Sequence, residues 1–207
     1  MCFSATASFA AGAVLSATGA VTIKKARTKN EVPFAAIPLL FGIQQAVEGV
    51  VWLSFGYGTP FFGQVATYAF VFFAYVLWPT FVPFSIRSIE KDPHRKQILS
   101  VFLGLGVGVS LYLLYFILSH PMTAHVVNKS IVYPLPAQYG AFTMGLYLLA
   151  TSVSFFFSSN KILNIFGTLV LLSFAAAYYF YTAAFASTWC FFAAILSAIV
   201  YWYFKRT

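Results

Sequence analysis

The residues most able to do chemistry in this chain are Gln44, Gln45, Glu48 and Trp52. They sit inside a run from 34 to 55 that is otherwise apolar. Positions spaced by three and four share a helix face, so on a helix these four make one polar stripe with an aromatic lip. A carboxylate surrounded by apolar sequence is costly unless it is paired, protonated or used, so Glu48 marks a candidate ligand or proton site. The remaining acids, Glu31, Glu90 and Asp92, stand among lysines and arginines, where they solvate and pair. Other scarce reactive residues are Cys2 and Ser4 near the start, His120 and His125 in the middle, and Trp189 with Cys190 near the end.

Three chemistries fit this set. The first is binding of a small polar ligand or cation, with Glu48 as charge or proton carrier and Gln44, Gln45, Trp52, Cys2, Ser4 and Trp189 around it. The second is a divalent metal held by Glu48, His120 and His125. Those are suitable ligand types at spacings that match no metal motif, and they would serve a hydrolase acting on lipid. The third is a structural or partner-binding subunit in which Glu48 hydrogen-bonds between helices. A disulfide between Cys2 and Cys190 is allowed if both face an oxidising compartment.

The elements that position these residues follow from composition. Of 207 residues, 61% are hydrophobic and 8% charged, far from the roughly 25% charged content of soluble domains. Apolar runs of about 4–22, 34–55, 60–85, 97–118, 137–157, 162–182 and 186–204 predict an all-α, single-domain bundle of seven transmembrane helices. The net charge of +8 comes from clusters between runs, so it reads as membrane topology and gives no sign of a nucleic-acid partner. Lys24, Lys25, Arg27, Lys29, Arg87, Lys91, Arg95, Lys96, Lys161, Lys205 and Arg206 fall on one side of seven spans, and Lys129 alone on the other. The expectation is therefore a multi-pass cell-membrane protein with its N-terminus outside and its C-terminus in the cytoplasm. The N-terminus lacks the basic region and cleavage site of a secretory signal.

Direction then gives depth. At about 1.5 Å per residue from the outer end at Phe55, Glu48 lies roughly 10 Å below the outer surface. Cys2, His120, His125 and Trp189 fall on that same side, which predicts an outer-facing pocket.

Packing signals accompany the runs. Ser4, Ser8, Gly12, Ser16 and Ala20 form a small-residue stripe, and Gly104 with Gly108 forms a GxxxG pair, both expected to admit a close neighbouring helix. Pro79 and Pro83 predict a kink in the third run. Gly12, Leu15, Ala17 and Thr18 align without gaps to Gly145, Leu148, Ala150 and Thr151, as a 3+1+3 duplication would produce.

The string Met1-Cys2-Phe3-Ser4-Ala5, together with the Phe41-Gly42-Ile43-Gln44-Gln45 block and Glu48-Gly49 and Trp52 after it, resembles an uncharacterised family of bacterial membrane proteins, a domain of unknown function. That resemblance implies a bacterial origin and a seven-helix body and supplies no activity. Retinal proteins fit worse, because residues 186–204 contain no lysine for a Schiff base. Zinc hydrolases of the ceramidase type need paired histidines in the last helix, and this chain has none there.

Overall fold

The computed structural model describes residues 4–133, 140–180 and 184–206. The chain is mostly helical, and the helices begin and end where local chemistry directs. Ser4 caps α1 (Ala5–Lys25) by accepting from the Ala7 N–H. A short α2 (Val32–Ala35) turns into α3 (Ile37–Tyr57), which stops at Gly58, whose left-handed φ of 60° needs no Cβ. Pro60 opens α4 (Pro60–Phe72), where a missing N–H costs nothing.

A π-helical turn, Phe73–Leu77, joins α4 to α5 (Trp78–Ile89). Asp92 caps α6 (Pro93–Ser119) by accepting from Arg95 N–H at 2.9 Å. Beyond a short hairpin come α7 (Ala141–Thr151), a 3-10 turn (Val153–Phe157), α8 (Lys161–Phe180), α9 (Phe185–Leu196) and α10 (Ala198–Arg206).

Six helical stretches are long and apolar enough to cross a bilayer: Ala5–Lys25, Lys29–Tyr57, Pro60–Ile89, Pro93–Ser119, Lys161–Phe180 and Phe185–Lys205. That layout is compatible with a multi-pass membrane protein. The fifth expected span, 137–157, is the exception. Its helix starts at Ala141, regular α structure stops at Ser152 (φ −126°), and Ala141–Phe157 falls short of the about 20 residues a span needs. Its residues 137–139 lie outside the described ones.

The expectation of helices alone also misses a two-stranded antiparallel hairpin, β1 (His125–Val127) and β2 (Ser130–Val132). Asn128 and Lys129 both take positive φ, the mirror-image turn that matches strand twist. β1 is exposed and β2 buried, and the following Tyr133 stacks on Phe70 at 4.4 Å, so the hairpin folds back onto the bundle.

Small residues set the closest approaches. A Cβ on Gly12 would meet the Gly42 carbonyl at 3.0 Å, one on Gly42 would overlap Ser16 Oγ, and one on Gly19 would overlap the Leu39 backbone. The middle of the stripe on α1 thus packs into α3, while Ser4 and Ala20 at its ends are exposed and Gly19, outside the expected repeat, makes the contact near Ala20. The GxxxG pair behaves otherwise: among the described residues nothing lies within 4 Å of a Cβ on Gly104 or Gly108. Gly106, on a different face of the same helix, makes the contact instead, because a Cβ there would collide with the Pro79 carbonyl. That carbonyl is free to approach because Pro83 has no N–H to hold it. The aligned Gly12 and Gly145 also differ, since among the described residues nothing lies within 4 Å of a Cβ on Gly145.

One end of the bundle gathers the basic segments. Phe34 packs edge-on against Tyr203 at 5.2 Å, Lys25 Nζ sits 5.8 Å from the Tyr201 ring, and Arg95 donates to the Ser158 carbonyl at 3.1 Å. The residues around Lys24–Lys29, Arg87–Lys96, Lys161 and Lys205 meet there. Lys129, in the hairpin turn, lies in the segment at the opposite end.

Candidate functional site

Glu48 is wholly buried, and so are Gln44 and Gln45, one turn and three residues before it. The α3 stripe is therefore real, and it faces inward. Gln45 Nε2 donates to Glu48 Oε2 at 3.5 Å. Opposite stands a residue with no distinguishing mark in the sequence: Ser187 of α9 donates its hydroxyl to Glu48 Oε1 at 2.5 Å. Thr188, next to it, is also wholly buried, and its Oγ1 has no hydrogen-bond partner among the described residues. On the α1 side, the Phe9 ring lies 2.9 Å from where a Gly49 Cβ would stand, so the absence of a side chain at 49 lets that ring close over the layer.

Gln44 reaches the other way. Its Oε1 accepts from Trp78 Nε1 at 2.8 Å, and Trp78 stacks on Phe41 at 3.9 Å. Its Nε2 has no partner among the described residues, and the thiol of Cys190 lies beside that amide. A small cavity of about 40 Å³ adjoins, walled by Trp78, Phe41, Tyr147, Trp189 and Cys190. It holds a few waters at most.

The π turn explains why Trp78 can face inward here. The Trp78 N–H bonds back to the Phe73 carbonyl, and Pro79 has no N–H, so the Ala74 carbonyl loses both helical donors. The Tyr147 hydroxyl of α7 supplies the missing bond at 2.5 Å, and Ser110 of α6 donates to the neighbouring Val76 carbonyl at 2.7 Å. The kink expected at the prolines is thus a π turn braced from two helices.

The other sequence candidates divide. Trp52 is half-buried against Phe55, and its Nε1 has no partner among the described residues. Ser4 is exposed and spent as the α1 cap. Trp189 packs on Phe174, Phe185 and Tyr147 and donates to the Val170 carbonyl at 3.4 Å, so it lines the aromatic cavity while Ser187 takes the place beside Glu48. Cys2 lies outside the described residues, and Cys190 is a buried free thiol.

His120 is exposed at the end of α6, stacked on Phe116, and His125 is exposed at the start of β1. The structure does not bring them together with the buried Glu48. Among the described residues no three His, Cys, Asp or Glu side chains form a metal-holding group.

A second polar centre lies at the basic end. Glu90, 4% exposed, accepts from the N–H groups of Lys91 (2.9 Å) and Asp92 (3.1 Å) and from the Ser159 N–H (2.7 Å) and hydroxyl (2.8 Å). Burial alone would raise its pKa. The bonds to Ser159, Asp92 and Lys91 outweigh that and hold the carboxyl below its ordinary value. With Arg95 on the Ser158 carbonyl, Glu90 ties the α5–α6 turn to the α7–α8 turn.

Over its whole length, residues 1–207, the chain matches a family of unknown function (DUF6629), and it belongs to that family. No curated protein and no solved structure matches it.

Proposed function

We propose, for a member of a family that supplies no activity of its own, that the chain is a seven-span membrane protein with its N-terminus outside and its C-terminus in the cytoplasm. It binds a small polar ligand or cation at Glu48, in a transport or sensing role. The observation that carries this reading is Glu48 held between Gln45 and Ser187 in a fully buried layer, with Gln44 and Thr188 also fully buried on the same two apolar helices. Ionisable groups at such depth are expensive and mark ligand or proton pathways. Glu48 is then the charge or proton carrier, Gln45 and Ser187 fix its two oxygens, and Trp78 orients Gln44.

The topology has its own support. The basic segments meet at one end of the bundle, which an odd number of crossings produces. Ala141–Phe157 serves as the short fifth crossing, and a bilayer accommodates a short span by local thinning. Fusions of a periplasm-active phosphatase and a cytoplasm-fluorescent reporter to the C-terminus test the orientation. Phosphatase activity at that end would sink it.

For function, the purified protein is reconstituted into vesicles under imposed proton, sodium or potassium gradients, with wild type compared against Glu48→Gln. Flux through wild type that Glu48→Gln abolishes, with both proteins monodisperse, supports the reading. One observation favours a second reading: the Ser187 to Glu48 bond is itself a clasp between α3 and α9. If Glu48→Gln leaves flux and binding unchanged while Ser187→Ala loosens the fold, Glu48 is structural.

A further inference from the structure

At the end opposite the basic turns, the α3–α4 corner and the segment after α6 border an open pocket of about 390 Å³. That is within the range of about 300–1,000 Å³ typical of small-molecule sites. Its polar walls are Ser54, Gln64, Thr67 and Thr123; Phe55 adds a ring, and among the described residues none that lines it is ionisable.

Two of the three hydroxyl hydrogens are already committed. Ser54 Oγ donates to the Val51 carbonyl and Thr67 Oγ1 to the Gly63 carbonyl, each at 2.7 Å. A hydroxyl has one hydrogen, so these two oxygens have only lone pairs left to offer. Gln64 Nε2 donates to the Met122 carbonyl at 2.7 Å, which leaves its Oε1 and one N–H.

The far wall is fixed as well. Met122, 1% exposed, is held by Gln64 and by its own N–H on the Tyr68 hydroxyl at 3.3 Å, which sets the position of Thr123 before any ligand arrives. Gly63 makes room for Ser54, since a Cβ there would overlap Ser54 Oγ. The C-terminus of α3 and the N-terminus of α4 both border the pocket, so their opposite dipole ends offset.

A pocket rich in acceptors, without net charge, with an aromatic wall, selects a neutral ligand that brings its own donors and a C–H face. We infer that it is a binding site for an uncharged, hydroxyl-rich solute of about monosaccharide size. The site is separate from Glu48, which does not line it, and it stands whether or not the Glu48 reading does.

The test is equilibrium dialysis of radiolabelled D-glucose and D-mannitol against the detergent-purified full chain, with D-glucosamine and D-glucuronate as charged counterparts. The expected result is saturable binding of a neutral probe, weakened about 3–10-fold in Thr67→Val and in Ser54→Ala by the loss of one hydrogen bond each, and unchanged in Glu48→Gln. Two single-hydroxyl variants are used so that a fold defect in one, seen as loss of a monodisperse peak, leaves the other to decide. The inference is overturned if neither neutral probe binds saturably into the tens of millimolar, or if a charged counterpart binds more tightly than both. It is overturned equally if folded Thr67→Val and Ser54→Ala bind as wild type does, or if Glu48→Gln abolishes binding while folded.

Discussion

Ser187 and Glu48, 139 residues apart in the chain, are joined by a 2.5 Å hydrogen bond in a fully buried layer between α9 and α3. Ser187→Ala removes the donor and leaves a buried oxygen short of a partner, a loss of about 1–3 kcal/mol. In a double-mutant cycle with Glu48→Gln, the two changes couple by about 0.5–3 kcal/mol, because they share one bond. Denaturant unfolding in mixed micelles measures both. Simple additivity would mean the bond does not hold the helices together.

Gly106 gives a sharper packing test. Its would-be Cβ runs into the Pro79 carbonyl, and neither backbone can swing aside as a side chain would. Gly106→Ala is expected to destabilise by at least about 1–3 kcal/mol. Gly104→Ala and Gly108→Ala, which meet open space, are expected to be neutral or to gain up to about 1 kcal/mol from helix propensity. Thermal unfolding in detergent ranks the three. Equal effects would contradict the packing described here.

The contrast between those glycines shows what a sequence makes legible. Glu48, Gln44 and Gln45 announce themselves because polar residues are rare in an apolar run and their spacing puts them on one face. Ser187 carries no such signal, since a serine in an apolar helix satisfies itself on its own backbone as readily as it reaches another helix. The GxxxG pattern says that a close approach is possible, but the face that meets a neighbour depends on α6 rotation, which the carbonyl freed by Pro83 fixes through Gly106. The hairpin leaves little trace in the sequence because a three-residue strand needs only a turn that tolerates positive φ, and Asn128-Lys129 lacks the expected glycine. The small-residue stripe on α1 is legible only in its middle, because a repeat of four drifts by about 40° per step on a helix: Ser8, Gly12 and Ser16 turn inward, Ala20 is exposed, and Gly19 takes the contact there.

The Ala74 carbonyl, stripped of both helical donors, depends on Tyr147. Tyr147→Phe keeps the ring against Trp189 and removes only the hydroxyl, so the cost, about 1–3 kcal/mol, isolates the unpaired carbonyl. The change also releases the brace on the π turn that aims Trp78 at Gln44, so the fluorescence of the four tryptophans is expected to shift with it. An unchanged unfolding midpoint and an unchanged spectrum together would show that the π turn needs no brace.

Glu90 gives the fold a defined response to acid. Its carboxylate is more acidic folded than unfolded, where its ordinary value is 4.5, so folding favours the ionised form. The stability it contributes is therefore present in full above the unfolded value and is lost as pH falls through the lower, folded value. Protonation puts a hydrogen where Lys91, Asp92 and Ser159 already donate, and it releases the α5–α6 turn from the α7–α8 turn. Glu90→Gln mimics that state at every pH. It is expected to cost about 1.5–3 kcal/mol at neutral pH, the range for hydrogen bonds to a charged group. Its unfolding midpoint, followed from pH 7 downward, should fall less steeply than that of wild type, and the two curves should converge in acid. Parallel curves across that range would show that another carboxylate sets the acid limit.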